Sequence, residues 1–171
     1  TGEIDIAFDI SGEGVQQIRD DPNLNMVQNP GMGVNYIYFN MVNGPTADIR
    51  VRKALQMAVD REAMCKALYQ YDEGQPGWLA LPPNSWGYDE SLIDLVPKYD
   101  VEGAKALLAE AGYPDGFTLE YYTGDSATSK KIGEIFQQFA QAIGVTVKIN
   151  QAAWGTFSEI GASGNADVIA M

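Results

Sequence analysis

The side chains in this sequence that could do chemistry are mostly acidic. There are 23 Asp and Glu residues against 11 Lys and Arg, with one Cys and no His. The adjacent acids Asp20-Asp21 and Asp89-Glu90 lie in polar stretches, where carboxylates are usually solvated charges rather than an acid–base pair. Without His or a second Cys, the chain cannot form a Ser-His-Asp site, a His-ligated metal, an intrachain disulfide or a Cys cluster. The sequence therefore predicts no catalytic residue, no metal site and no cofactor.

Two further features have simple explanations. Gly12-Glu13-Gly14 lacks the third glycine and the apolar helix that a dinucleotide-binding loop requires. Cys65 falls on an apolar helical stripe, which is typical of a small, buried and unreactive side chain. The net charge of −12 opposes binding to nucleic-acid phosphates or to an anionic membrane surface, because both need basic patches. We therefore expect no nucleic-acid partner.

Aromatic side chains are the first candidates for a binding site. Seven of them exceed what a strand core needs: Tyr36, Tyr38, Trp78, Trp86, Tyr121, Tyr122 and Trp154. Two of the three Trp residues lie in a long stretch rich in Pro and Gly, residues 73–99, which is either a packed excursion or a ligand-facing surface. Each aromatic ring either packs against the sheet and the loop, or lines a cleft and stacks on a ligand.

A short polar loop is the second candidate. Thr123-Gly124-Asp125-Ser126 lies between a predicted strand and a predicted helix, where α/β sheets tend to bind ligands. Asp125 or Ser126 can equally be a helix N-cap and nothing more. The helix dipole favours an anion and Asp125 favours a cation, so the charge of any ligand stays open. The residues that we expect to face a ligand are Trp78, Trp86, Tyr122, Gly124, Asp125 and Trp154.

The elements that must position these residues alternate between strand and helix. Apolar residues at every second position predict strands at 4–8, 24–28, 34–41, 117–122, 145–149 and 166–171. Apolar residues at helical spacing predict helices at 11–20, 48–69, 100–111, 132–143 and 157–162. Both faces of the third strand carry bulky side chains, which suits a strand covered on both sides. This order predicts an α/β fold, a sheet flanked by helices.

Length and composition point to one domain. The chain has 171 residues, of which 46% are hydrophobic, enough for a single core. No apolar run approaches the ~18 residues that cross a bilayer. Strand-like runs lie at both ends, so we expect the chain to be a piece of a longer protein.

Four segments carry a resemblance to a known family. Residues 38–40 (YFN) and 48–63 (DIRVRKALQMAVDREA) match the pattern "FN … D-x-RVR-x-A … A-x-DR". Residues 99–116 (YDVEGAKALLAEAGYPDG) match "YD … AK-x-LL-x-EAG". Residues 2–7 (GEIDIA) are similar to a "G-x-xD" strand, and residues 143–147 (IGVTV) are followed by Trp154. In this order they resemble the family 5 extracytoplasmic solute-binding proteins of ABC importers, the peptide- and nickel-binding type.

The resemblance implies a fold and a place in a larger protein. It implies a type II periplasmic-binding-protein-like lobe, a mixed sheet flanked by helices. Residues 1–171 would be a single domain, most of the C-terminal lobe of a two-lobed receptor, with residues 73–99 as a long loop. The signature residues look like fold determinants: Asn40, Asp48, Arg50, Arg52, Asp60, Arg61 and Gly112. Among them, Arg52 and Arg61 are expected to form structural ion pairs.

The function that the resemblance implies is solute binding without turnover. The solute would be an oligopeptide, a dipeptide or a related small molecule. The partners would be the missing N-terminal lobe and an ABC permease in the membrane, and the location would be periplasmic or extracellular, with a lipoprotein tether as an option. The alternative is a sensory or transcription-regulatory protein that reuses such a lobe. An enzyme is not expected, because no nucleophile–base pair can be assembled.

Overall fold

The computed structural model describes residues 3–29, 31–71, 73–164 and 166–170. Gly2 and Met171, which the sequence assigns to motifs or strands at the two ends, lie outside the described residues. Within the described ranges, no helix combines the length and the apolar character needed to cross a membrane.

Helices and strands alternate along most of the described chain. The helices are α1 (Glu13–Asp20), α2 (Ile49–Met57), α3 (Arg61–Leu68), α4 (Val101–Glu110), α5 (Ala127–Gln141) and α6 (Trp154–Ser163). The strands are β1 (Ile37–Phe39), β2 (Phe117–Thr123), β3 (Val145–Gln151) and β4 (Val168–Ala170). Two short 3-10 helices, Pro45–Ala47 and Glu90–Leu95, complete the elements.

The four strands form one mixed sheet, as the resemblance implies. Their order is β1-β4-β2-β3. Strand β2 runs parallel to both β3 and β4, whereas β1 is antiparallel to β4. The carboxyl ends of β2, β3 and β4 therefore meet at one edge, which we call the carboxyl edge. The amino end of β1 lies at the same edge because that strand runs the opposite way.

One face of the sheet carries the main hydrophobic core. Helices α2, α4 and α5 pack on it through residues that repeat at helical spacing. The largest fully buried side chains of this cluster are Tyr121, Phe136, Leu55, Leu108 and Leu119. Burial of large apolar side chains is worth about 1.5–3 kcal/mol each, so this face accounts for most of the fold's stability.

The opposite face is covered only in part. Helix α6 follows β3 and precedes β4, and its buried Phe157 lies over this second face. Tyr38 of β1 and Ile169 of β4 project from the same face and line a cavity beneath α6. Helices α5 and α6 thus leave the carboxyl ends of β2 and β3 toward opposite faces of the sheet, an arrangement that in α/β sheets often accompanies ligand binding.

Two predicted strands at the start of the chain are wrong. Residues 4–8 and 24–28 form no strand, and Ile4, Ile6 and Phe8 are 73%, 72% and 81% exposed. A strand needs a hydrogen-bonding partner, and none of the described strands pairs with either segment. The predicted strand 34–41 shortens to three residues, and its Tyr38 is half exposed because it lies on the face of the sheet that is covered only in part.

The long predicted helix 48–69 is two helices. Asp60 adopts an extended conformation between them, and its carboxylate accepts a hydrogen bond from the Ala63 amide at 2.9 Å. Asp60 is therefore the N-cap of α3, and this competing hydrogen bond ends the continuous helix. Cys65 is half-buried in α3 rather than fully buried, because no residue of that helix reaches the core.

Candidate functional site

The loops that leave β2 and β3 form the candidate site at the carboxyl edge. The Ala152 amide donates to the Thr123 carbonyl at 3.0 Å, which holds the two loops together. The Gln151 side-chain amide reaches the Gly124 carbonyl at 3.5 Å. Because these bonds join the strand ends directly, the predicted polar loop and the start of α6 lie side by side.

Helix capping fixes the shape of the polar loop. The Ser126 hydroxyl accepts from the Ser129 amide at 3.0 Å and donates to the Ser129 hydroxyl at 2.7 Å. Ser126, not Asp125, is therefore the N-cap of α5. Asp125 is exposed, and a Cβ placed on Gly124 meets no atom within 4 Å. The loop thus presents an exposed carboxylate and an open stretch of backbone.

Trp154 stands at the opening of the cavity beneath α6. Its ring is 64% exposed and lies 5.6 Å from the ring of Phe157. Tyr122 is half-buried on β2 and pairs in register with Ile169 of β4. Four of the six residues expected to face a ligand, namely Tyr122, Gly124, Asp125 and Trp154, are thus gathered at or beside the carboxyl edge.

The two remaining Trp residues lie apart from the cavity, in the stretch 73–99, which we call the aromatic loop. The Arg61 guanidinium lies 5.3 Å from the centre of the Trp78 ring, so this ring packs against α3. Trp86 is 98% exposed. Neither residue lines the cavity that Trp154 borders.

The aromatic loop nevertheless reaches the carboxyl edge through its backbone. The Tyr36 hydroxyl, just before β1, donates to the Ala80 carbonyl. A Cβ on Gly77 would lie 3.6 Å from the side chain of Val34, so this part of the loop runs beside the chain that enters β1. This part of the aromatic loop therefore lies at the amino end of β1, two strands away from β2 in the sheet.

The cavity lining includes residues that the sequence reasoning missed. Phe157, Ser158, Gly161 and Ile169 were not among the candidates, whereas Tyr38 and Trp154, which also line the cavity, were among the seven aromatic ones. A signal was present in the sequence, since positions 154, 157, 158 and 161 have the i, i+3, i+4, i+7 spacing of one helical face. The prediction began the helix at 157, which hid that face.

Two buried hydroxyls on β2 point away from this site. Tyr121 and Thr123 are fully buried, and neither hydroxyl has a hydrogen-bond partner. Both lie on the core face, where Tyr121 stacks with Phe136 at 6.0 Å between ring centres. Burial raises the pKa of Tyr121, so its phenol stays protonated. Among the described residues, no group of three or more Cys, Asp and Glu side chains is arranged to hold a metal ion.

The signature residues around Asp48 make their contacts within the fold. The Asp48 carboxylate accepts from the Arg50 amide at 2.8 Å and forms an ion pair with the Arg50 guanidinium at 2.6 Å. The hydrogen bond from the Arg50 side chain is the main cause that lowers the Asp48 pKa. Arg50 also donates to the Glu110 carbonyl at 2.7 Å, which ties α2 to the end of α4.

The contacts of Arg52 and Arg61 differ from the ion pairs expected for them. Arg52 donates to the Thr46 and Ala47 carbonyls, both at 2.8 Å. Arg61 donates to the Pro97 carbonyl at 3.4 Å, and burial lowers its pKa. In the part of the chain that is described, neither guanidinium pairs with a carboxylate. Carbonyl oxygens at loop and helix ends are unsatisfied acceptors, so each Arg stabilises the backbone instead.

The two remaining signature residues, Gly112 and Asn40, lie at the ends of a helix and a strand. Gly112 has φ +95° at the end of α4, where the Tyr113 amide donates to the Leu108 carbonyl at 2.9 Å. Asn40 follows β1, and its side-chain amide donates to the Gly164 and Ala166 carbonyls at 2.8 and 3.1 Å. Asn40 thereby joins the end of β1 to the turn that enters β4.

Comparison with known proteins finds similarity along the whole chain. The sequence model of the protein family "Bacterial extracellular solute-binding proteins, family 5 Middle" matches residues 1–171. The dipeptide-binding protein of Escherichia coli (strain K12) is 31% identical over 162 residues, which are 92% of this chain and 30% of that protein. Heme-binding protein A of Haemophilus influenzae is 33% identical over 82% of this chain and 26% of its own length.

Solved structures give the same result. HbpA2 from Haemophilus parasuis matches with a TM-score of 0.84 and 29% identity, over 93% of this chain and 32% of that one. A dipeptide binding protein from Pseudoalteromonas sp. SM9913, in complex with Met-Leu, matches with a TM-score of 0.78 and 28% identity over 94% of this chain and 32% of that chain. The chain thus spans about a third of the length of the relatives it matches.

Proposed function

Because the chain belongs to family 5 of the bacterial extracellular solute-binding proteins, we propose that it is one lobe of a receptor for a small, peptide-like solute. The similar proteins include a dipeptide-binding protein of Escherichia coli and a murein tripeptide binding protein of the same species. Their length leaves room for a second lobe, since this chain spans about a third of it. In our proposal residues 1–171 are most of the C-terminal lobe, and the N-terminal lobe supplies the opposite wall.

The observation that carries this proposal is the set of exposed groups on the two loops that leave β2 and β3 at the carboxyl edge. Gly124 and Asp125 offer backbone groups and a carboxylate there, and Trp154 offers an exposed ring. A peptide presents amides, terminal charges and side chains, so this mixture of polar and aromatic groups suits it. Tyr122, Gly124, Asp125 and Trp154 are the residues that we propose contact the solute. Trp78 and Trp86 would reach it only from the rim, through the aromatic loop.

Solute capture in this proposal needs two lobes that close on each other. An isolated lobe offers one wall, buries less of the solute and therefore binds it weakly. The closed receptor would deliver the solute to an ABC permease. Since the family is extracellular, the receptor would act in the periplasm or at the cell surface, where a lipid anchor is one way to tether it.

A titration of the 171-residue chain followed by nuclear magnetic resonance tests the proposal. We expect the dipeptide Gly-Gly to shift the backbone amide signals of residues 123–126 and 154 with a dissociation constant in the millimolar range. Free ammonium acetate at the same concentration is the control for non-specific charge effects. The absence of any shift at these residues would contradict peptide binding. Micromolar affinity, measured by calorimetry, would contradict the idea that half of the site is missing.

A further inference from the structure

A groove of about 480 Å³ lies between α2 and the 3-10 helix Glu90–Leu95, and we call it the α2 groove. Its two walls differ in character. The wall on α2 has the i, i+3, i+4, i+7 spacing of one helical face and is mainly polar and cationic, with Ile49, Arg52, Lys53 and Gln56. The opposite wall is apolar and consists of Leu92, Leu95, Val96 and Pro97.

The positive charges of the α2 groove are not neutralised by the part of the chain that is described. Neither the Arg52 guanidinium nor the exposed Lys53 ammonium forms an ion pair with a carboxylate there. Glu90 and Asp94 belong to the neighbouring 3-10 helix but do not line the groove. The chain as a whole has a net charge of −12, so the groove is a local cationic site on an acidic protein. It therefore favours a partner that brings carboxylates.

The apolar wall of the α2 groove is open to solvent. Leu95 is 79% exposed, and Leu92 and Ile49 are also largely exposed. Large apolar side chains that are exposed next to one another mark interaction surfaces, which isolated ones do not. A small molecule in such an open groove would stay wet on one side. A segment of a partner protein that packs along it buries more apolar surface.

The α2 groove lies away from the candidate site. Arg52 donates to the Thr46 carbonyl at 2.8 Å, and the Thr46 hydroxyl donates to the Asp167 carbonyl at 3.2 Å, directly before β4. These bonds place the first turns of α2 near the amino end of β4, opposite the carboxyl edge. A partner in the groove therefore leaves residues 123–126 accessible.

We propose that the α2 groove binds a partner protein through a short amphipathic helix with carboxylates on one face and apolar side chains on another. The carboxylates face Arg52 and Lys53, and the apolar side chains pack on Leu92 and Leu95. Residues 49–56 span about 10 Å along α2, which is the length of two turns of such a helix. A second copy of the chain and an anionic membrane fit less well, because the net charge of −12 repels both. This inference is independent of the solute binding proposed above.

A designed helix tests the proposal on the 171-residue chain. The probe is an amidated peptide with two repeats of Glu-Ala-Leu-Glu-Ala-Leu-Leu, whose Glu and Leu residues fall on separate faces of a helix. In nuclear magnetic resonance spectra we expect it to shift the amide signals of residues 49–56 and 92–96 and to leave residues 123–126 unchanged. The same peptide with Lys in place of every Glu should bind about tenfold or more weakly, because like charges then meet across the groove.

Two pairs of variants locate the contact. Lys53→Glu reverses a charge inside the groove, and Lys131→Glu makes the same change at an exposed position of α5. Leu95→Asn removes apolar surface from the groove, and Leu24→Asn does so at an exposed Leu elsewhere. We expect K53E and L95N each to weaken binding of the acidic peptide about tenfold or more, and K131E and L24N to leave it unchanged. All four side chains are exposed, so the variants should keep the fold, which circular dichroism checks.

The outcomes decide between the possible occupants of the groove. Shifts at residues 49–56 and 92–96 that K53E and L95N lose and both control variants keep support the proposal. Unchanged signals, or equal binding of the Lys peptide, overturn it. Sedimentation of the chain alone tests for a second copy, and flotation with vesicles that contain phosphatidylglycerol tests for a membrane. Self-association or vesicle binding that K53E abolishes would assign the groove to that occupant and overturn the partner helix.

Discussion

The contact between Gly116 and Gly144 predicts an unusually large effect for one added methyl group. Gly116 has φ +76°, and a Cβ built on it would lie 1.8 Å from the Gly144 carbonyl oxygen. These two residues stand directly before the first register pair of β2 and β3, Phe117 with Val145. A methyl group at Gly116 would therefore force apart the two strands that lead to the candidate site.

Gly116→Ala should destabilise the chain through two separate costs. The left-handed backbone conformation costs a residue with a Cβ about 1–2 kcal/mol. Overpacking against a backbone carbonyl, which cannot rotate away as a side chain can, adds about 1–3 kcal/mol. We therefore expect the free energy of unfolding to fall by about 2–5 kcal/mol, the sum of these two ranges.

Gly112→Ala is the matched control for this prediction. Gly112 also has a positive φ, +95°, but a Cβ there meets nothing within 4 Å. It should cost only the backbone term of about 1–2 kcal/mol. Urea unfolding followed by circular dichroism gives both values by linear extrapolation. If the two variants lose the same free energy of unfolding, the added methyl group at Gly116 does not collide with the Gly144 carbonyl. That result would refute the prediction.

Two further predictions concern titratable groups. Because the Arg50 side chain lowers the Asp48 pKa below 3.8, this carboxylate stabilises the fold above that pH, and the contribution disappears as the pH falls through the folded-state pKa. In Asp48→Asn the urea midpoint should change less between about pH 6 and pH 3 than in the parent; equal profiles would exclude this ion pair as a source of acid sensitivity. Burial raises the Cys65 pKa, so iodoacetamide at slightly alkaline pH should modify the folded chain more slowly than the urea-unfolded chain. Equal rates would contradict this effect.

The parts of the fold that the sequence predicted are those with local signals. Helices α4 and α5 carry both an apolar stripe and a cap within their own residues, with Asp100 and Ser126 as N-caps. Strands β2 and β3 alternate and end at clear turns. The wrong strand at residues 4–8 has an equally clear alternation, but a strand forms only with a partner, and alternation carries no information about the partner.

The candidate site also has one part that local sequence signals predict and one part that they do not. The polar loop 123–126 follows from its position between a strand and a helix, which a sequence displays. The cavity depends on the register that brings Tyr38 of β1 next to Ile169 of β4, and the two residues are far apart in the chain. Period and composition do not encode such a long-range pairing, so no reading of local patterns could place Tyr38 beside Trp154.

The polar contacts that side chains make are distributed unevenly between the two ends of the sheet. The amino end of β4 is held by side chains: the Asp167 carboxylate accepts from the Glu120 amide at 3.0 Å, and the Thr46 hydroxyl donates to the Asp167 carbonyl at 3.2 Å. Asn40 adds its two bonds at the same end. At the carboxyl edge, by contrast, Asp125 is exposed and a Cβ on the half-buried Gly124 would meet no atom within 4 Å. Because these contacts lie away from the exposed loop, substitutions at Asp125 should cost the fold little stability.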